Sequence, residues 1–247
     1  MSKTISRFRF KHFSVSHHRS AMKVGVDGVL IGCWTETGNA KRILDVGTGC
    51  GLIALIMAQR TPGAFIEAID VDEPSIEEAS ENFSVSPWSE RVRAFLCNYC
   101  DVRSLLKKDE GFDLIVSNPP YFDSGVTEIE SAREKARHQG ELSPLSLLSG
   151  AKDILNPGGS VAMVLPCDLS TALEEEARNL GYSLLRKCLV RGHKEAPYKR
   201  ALIQWIYDNG LSDQLNEVPT EYLTLESSPN IPTDLYRELC KDFYLKF

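Results

Sequence analysis

Seven residues, Asp45-Val-Gly-Thr-Gly-Cys-Gly51, restrict this chain more than any other segment. They follow a short apolar run, Arg42–Val46, and precede a helical pattern over Leu52–Gln59, so they read as a strand-to-helix turn. Glycines at such a turn let backbone approach a ligand closely, with helix-terminal N–H groups pointing at it. Dinucleotide sites use G-x-G-x-x-G, which would put the third small residue at Leu52; here the third glycine comes one residue early, at Gly51. A pyrophosphate is therefore not the expected ligand. Asp70 follows at the end of the next strand, where a carboxylate accepts both hydroxyls of a ribose.

The rest of the chain repeats that alternation. Ala64–Val71 reads as a second strand. The next helix has Asp72 as N-cap, Pro74 in its first turn, and Ile76, Ala79 and Phe83 on one face. Arg91–Cys97 and Phe112–Ser117 are the third and fourth strands. A helix opened by Ser143–Pro144 is expected to run to the stop signal Asn156-Pro-Gly-Gly159, before a fifth strand, Ser160–Leu165. Ser170–Leu180 reads as a helix ended by Gly181. Tyr182–Arg191 and Lys199–Tyr207 then come as two β runs with no room for a helix between them. The pattern predicts an α/β fold: a mostly parallel sheet with helices on both faces and an antiparallel C-terminal hairpin. Residues 1–247 are read as one domain, with a basic extension (1–41), a core (42–207) and a tail (208–247) to which no role is assigned between 207 and 237.

Charge is unevenly distributed. The net charge is −6, which argues against a basic coat for nucleic acid. Residues 1–23 nevertheless carry six bases and no acid, while the other 224 carry 22 bases and 34 acids. That segment suits a local anionic partner. No stretch approaches the roughly 20 apolar residues of a membrane span, so no membrane partner is expected. Seven scattered cysteines fit a reducing cytosol, and a cytoplasmic location is expected. Cys97 and Cys100 form one C-x-x-C but lack two further ligands, and His17, His18 and His193 have no metal-ligand partners in the sequence, so no metal is expected.

The fourth strand ends in Asn118-Pro-Pro-Tyr121, and carboxyl ends of strands are where open α/β sheets bind ligands. The tetrapeptide resembles the N-P-P-Y motif of amine methyltransferases, and that likeness implies an amine substrate; an exocyclic amine on adenine is a poor nucleophile because its lone pair is delocalised into the ring. The Asn118 side-chain oxygen and the Pro119 carbonyl each suit one N–H bond from such an amine, favouring a pyramidal nitrogen. Prolines keep those acceptors aimed. Tyr121 offers a face for an extruded base, with Phe122 behind it.

The D-x-G-x-G-x-G turn followed by Asp70 resembles the S-adenosylmethionine-dependent methyltransferases. That likeness implies a Rossmann-like class I fold with a seven-stranded sheet. It implies that Gly47, Gly49 and Gly51 hold the methionine part of the cofactor, Asp45 anchors the turn, and Asp70 binds the ribose. Asn98 stands where this family often has an Asp bonding the adenine amine. Asn118–Tyr121 is similar to the N-P-P-Y motif of enzymes that methylate adenine N6 or a glutamine amide. Phe8–Phe13, His17–Ala21, Met22–Leu30 and Asp242–Leu245 resemble the bacterial valine-tRNA adenine-N6 methyltransferases, which modify the adenine next to the anticodon. The resemblance spans nearly the whole chain and implies tRNA, through its anticodon loop, as the partner.

DNA is not expected as substrate, because the roughly 40 residues after the hairpin are acidic, unlike a target-recognition region. Methylation of a release-factor glutamine, and a binding module without chemistry, are the alternative readings. RNA contacts are expected from Arg7, Arg9, Lys11 and Lys23, with Arg191 and Lys194 in the basic hairpin segment Arg186–Arg200. The segment Asp123–Glu141, with Arg133, Lys135, Arg137 and His138, reads as a binding loop. An edge strand with phenylalanines inward and cations in water accounts equally well for Phe8–Phe13.

Overall fold

The computed structural model describes residues 7–108, 110–120, 142–208 and 218–247. Tyr121 and the segment Asp123–Glu141 lie outside them.

A two-stranded ribbon, β1 (Arg7–Arg9) and β2 (Ser14–Ser16), precedes helix α1 (Val26–Trp34). Alternation then begins: β3 (Arg42–Val46), α2 (Leu52–Arg60), β4 (Phe65–Asp70), α3 (Glu73–Ser84), β5 (Val92–Leu96), a short α4 (Val102–Leu105) and β6 (Phe112–Ser117). After Leu142 come α5 (Pro144–Ala151), β7 (Leu155–Pro166), α6 (Cys167–Asn179), β8 (Tyr182–His193) and β9 (Arg200–Tyr207). The chain closes with β10 (Thr220–Ser228), β11 (Ile231–Pro232) and α7 (Asp234–Cys240).

The main sheet has the order β11-β10-β8-β9-β7-β6-β3-β4-β5. All seven expected strands are present, with β3, β4, β5, β6 and β7 parallel and β9 antiparallel to both β7 and β8. Two more strands extend it: β10 runs parallel to β8, and β11 pairs antiparallel with β10. Part of the span without an assigned role thus builds sheet. Its β signal, Tyr222-Leu-Thr-Leu, gives only Leu223 fully to the core, so periodicity there is weak.

Helix α5 is the second departure. It opens at Ser143–Pro144 as expected, with Ser143 in a capping box with Ser146, but stops at Ala151, and Asn156–Gly159 lies inside β7. The Asn-Pro-Gly-Gly turn is absorbed as an irregularity, with register shifting between Phe112 and Leu114. Asn156 Nδ2 donates to Asp113 Oδ1 at 2.7 Å, so the segment ties down β6 and does not cap the helix.

One face of the sheet is covered by α1, α2, α3 and α7 through Leu30, Leu55, Ile56, Phe83 and Cys240. The other carries Leu147, Leu148 and Leu173 from α5 and α6. Phe10, Phe13 and Val15 join the first core, Phe10 stacked on Tyr244 and Phe13 edge-on to Trp88, so these phenylalanines of the basic segment point inward, as the edge-strand reading has it. The chain leaves β3 toward β4 and returns on its other side as β6. This reversal opens a crevice at the carboxyl ends of β3 and β6. Among the described residues no helix is long and apolar enough to cross a membrane.

Candidate functional site

The Asp45–Gly51 turn and Asn118 face each other across that crevice. Ser117, buried at the end of β6, donates its hydroxyl to the Val46 carbonyl at 2.7 Å, fixing Asn118 beside the turn. The pocket encloses about 300 Å³, the scale of a small-ligand cleft. Gly47, Thr48 and Gly49 form one wall, Met22, Lys23, Val26 and Asp27 another, with Asn118 between.

The turn is left-handed at all three glycines, with φ of 69° at Gly47, 53° at Gly49 and 82° at Gly51. A Cβ at Gly51 would stand 2.4 Å from Phe83, so this glycine is required by packing. At Gly49 a Cβ would meet nothing within 4 Å, leaving open space for a ligand to approach the backbone. Asp45 is fully buried; its Oδ2 accepts the Thr48 hydroxyl at 2.6 Å and the Ala54 N–H at 3.0 Å. Its Oδ1 is buried without a hydrogen-bond partner. Burial pushes this carboxyl up to about 7, against the lowering effect of those two bonds.

Asp70 is half-buried at the end of β4. Its Oδ2 accepts the Gly49 N–H at 2.9 Å and its Oδ1 the Asp72 N–H at 3.1 Å. It therefore clamps the turn, and each oxygen keeps a second acceptor position for a hydroxyl. Asn98 begins a short 3₁₀ turn and accepts the Cys100 N–H at 3.0 Å through Oδ1. Cys97 and Cys100 are free thiols just beyond β5, and among the described residues no cluster of metal-ligating groups forms.

The Asn118–Tyr121 tetrapeptide is described through Pro120. Asn118 Oδ1 is buried and has no hydrogen-bond partner, and Pro119 is buried beside it. An orphaned amide oxygen is unfavourable unless a ligand's donor completes it. The donor set fits S-adenosylmethionine: a turn open to backbone approach, two carboxylates for a cationic, ribose-bearing molecule, and an unsatisfied acceptor above them.

The expected RNA-contact residues separate into groups. Arg9 is exposed on β1, whereas Arg7 donates Nε to Ser16 at 3.0 Å. Lys11 reaches the Lys241 and Phe247 carbonyls at the opposite end of the chain. Lys23 lies on the pocket wall. Arg191 and Lys194 sit at the β8–β9 hairpin tip, which the registers place at the same sheet edge as Asn118.

Two residues carry more of the site than their sequence context suggested. Glu78 and Asn82, one turn apart on α3, are both buried. Glu78 accepts the N–H groups of His18, Arg19 and Ser20, and Asn82 bonds Ser16 N, Ser16 O and the Cys50 carbonyl. Together they hold the segment leading into the Met22–Gly28 wall against the glycine turn. The available signal was two polar residues at i, i+4 on the face that also carries Ala79 and Phe83.

Residues 27–180 match the family model described as Methyltransferase small domain. A Bacteroides fragilis protein named tRNA1(Val) (adenine(37)-N6)-methyltransferase is 38% identical over 239 residues, covering 97% of this chain and 98% of its own. The protein of that name from Tolumonas auensis is 39% identical over 241 residues, with 97% of both chains covered. Among solved structures, a predicted O-methyltransferase from Agrobacterium tumefaciens superposes with a TM-score of 0.64 at 18% identity, over 88% of this chain and 96% of that one. A methyltransferase from Pyrococcus furiosus gives 0.53 at 24% identity, over 78% and 89%. These structures share the fold. By both the matched domain and the near full-length identity, the chain belongs to the methyltransferase small domain family and, within it, to the family of the tRNA1(Val) (adenine(37)-N6)-methyltransferases.

Proposed function

We propose that this protein methylates the N6 amine of adenine in tRNA, at the base beside the anticodon of valine tRNA, with S-adenosylmethionine as donor. Residues 1–247 act in this reading as one cytoplasmic enzyme. The observation that carries it is the buried, partnerless Asn118 Oδ1 facing the glycine turn.

Gly47, Gly49 and Gly51 would hold the methionine part, Asp45 would support its charged end, Asp70 would take the ribose, and Asn98 would meet the adenine ring. Bound S-adenosylmethionine supplies an electrophilic methyl group on a sulfonium. Asn118 Oδ1 accepts one N–H of the target amine and the Pro119 carbonyl the other, drawing the nitrogen out of conjugation and turning its lone pair toward the pocket. Tyr121 supplies the stacking face for the base. The two prolines hold these acceptors in place before the base arrives, so orientation provides most of the acceleration. The nitrogen becomes strongly acidic as it forms its new bond, and its proton passes to water without a shifted side-chain base. Phosphate contacts in this reading come from Lys23 on the pocket wall, from Arg191 and Lys194 on the β8–β9 hairpin, and from Arg7, Arg9 and Lys11 of the N-terminal ribbon segment.

Nucleoside mass spectrometry on valine tRNA incubated with enzyme and isotopically labelled cofactor tests this directly. Label in N6-methyladenosine is the expected result. Label found solely in a glutamine of a peptide release factor would replace the RNA reading with a protein-methylating one.

A further inference from the structure

The β8–β9 hairpin rises from the sheet edge that carries Asn118, since Val190 pairs with Arg200 and Arg200 with Pro166 at the carboxyl end of β7. Three ladder spacings, about 14 Å, separate β8 from β6 across the sheet. On β10, the strand outside β8, Tyr222 is 58% exposed, on a stretch that pairs with β8 alone. Its ring lies 5.4 Å from that of half-buried Tyr198 at an angle of 57°. The Arg191 guanidinium stands 4.8 Å over the Tyr198 ring, anchored by its Nε to Thr224 Oγ1 at 2.9 Å. That anchor uses one of its five donors. Lys194, Glu195 and Lys199 lie in the exposed tip beyond His193, whose register partner on β10 is Glu226.

The base of this hairpin is also tied to the pocket. Arg200 donates Nε to Asp27 Oδ2 at 2.9 Å, and Asp27 lines the pocket wall. The two tyrosines are therefore held at a set position relative to the glycine turn.

We infer that Tyr198 and Tyr222 form a stacking site for an unpaired nucleobase of the RNA substrate, separate from the pocket that takes the target adenine. The inference rests on the tRNA reading above and adds a second contact to it. An exposed ring backed by a half-buried one, beside oriented cations, is an arrangement by which proteins hold single-stranded nucleic acid, rings taking base faces and cations taking phosphate. A single extruded adenine gives little purchase by itself. A second loop base stacked three to four ladder spacings from β6, about 14–19 Å, would fix the direction in which the strand crosses the mouth.

The test uses the full chain and a valine-tRNA anticodon stem-loop, with affinity read by fluorescence anisotropy and transfer by labelled cofactor. Tyr198→Ala and Tyr222→Ala should each weaken RNA binding about tenfold, the loss falling on KM for RNA more than on kcat. Tyr198→Phe and Tyr222→Phe keep the ring and should keep the affinity. A stem-loop series with one abasic position at a time, the target adenine excepted, should contain one RNA on which Tyr222→Ala causes no further loss. Unaltered affinity and KM in both alanine variants, or an equal loss in the phenylalanine variants, overturns the stacking site. A wild-type enzyme that neither binds nor methylates the stem-loop or the whole tRNA overturns the tRNA reading itself, and is seen before any variant is made.

Discussion

Ser20 donates its backbone N–H to the buried carboxylate of Glu78 at 2.9 Å, and through that bond helix α3 governs the wall of the pocket. His18 and Arg19 donate to the same carboxylate, so one side chain satisfies three consecutive backbone groups. A segment with no regular structure of its own becomes part of the site because α3 supplies the acceptor it lacks.

Replacing Glu78 by Ala should lower unfolding stability by about 3 kcal/mol, because three N–H groups lose their acceptor together. Urea unfolding would read the loss, and calorimetry a weaker cofactor affinity. Burial opposes ionisation of Glu78, yet the N–H bonds from Ser20, His18 and Arg19 outweigh it and hold the carboxyl below its usual value. Its contribution is thus complete above the unfolded carboxylate pKa and lost as pH falls through the lower folded value. In Glu78→Gln that acid-side dependence should shrink.

Asp45 has the opposite sign. Its folded pKa, about 7, lies above the unfolded value, so it favours the fold most at low pH and less as pH rises through neutrality. A cationic ligand prefers the ionised form. Affinity for S-adenosylmethionine should therefore climb between pH 6 and 8, and Asp45→Asn should flatten that climb in calorimetric titrations.

Asn118→Ala should leave cofactor affinity close to normal and reduce methyl transfer by about 10²–10³-fold, the scale of removing one aimed hydrogen-bonding group. Retained turnover in this variant would remove the catalytic assignment.

The N-terminal cations should not behave alike. Arg9→Glu, on an exposed strand position, should weaken tRNA binding and reduce its salt slope by about one. Lys11→Glu loses bonds to two C-terminal carbonyls and should lower thermal stability as well. Filter binding across a salt series, paired with thermal melts, separates the two.

What the sequence made legible was whatever depends on neighbours along the chain. The parallel strands from β3 to β7 follow from local apolar runs, and the Asp72 cap, which accepts the Ser75 N–H, from its place just ahead of Pro74 and the apolar helix face. The turn, Asp70 and Asn118 were found because their chemistry is written in short motifs. Partners distant in sequence were not visible: the Glu78 clamp joins residues 58 to 60 positions apart. Strand β10 owes its place to β8, not to its own pattern. Asn156–Gly159 has the residues of a helix stop, and its actual task, seating Asp113, is set by a strand 43 positions earlier.

Phe10 meets Tyr244 in an isolated antiparallel bridge, and Lys11 donates its N–H to Phe243 at 2.8 Å. Phe10 thus finds its partner at a residue very distant in sequence. Contacts of such long sequence separation form late, after the loop between them has been closed by the sheet. The Met22–Gly28 wall lies between that late-closing seam and the glycine turn. Competence to hold a ligand is accordingly a property of the folded chain, not of the glycine turn alone.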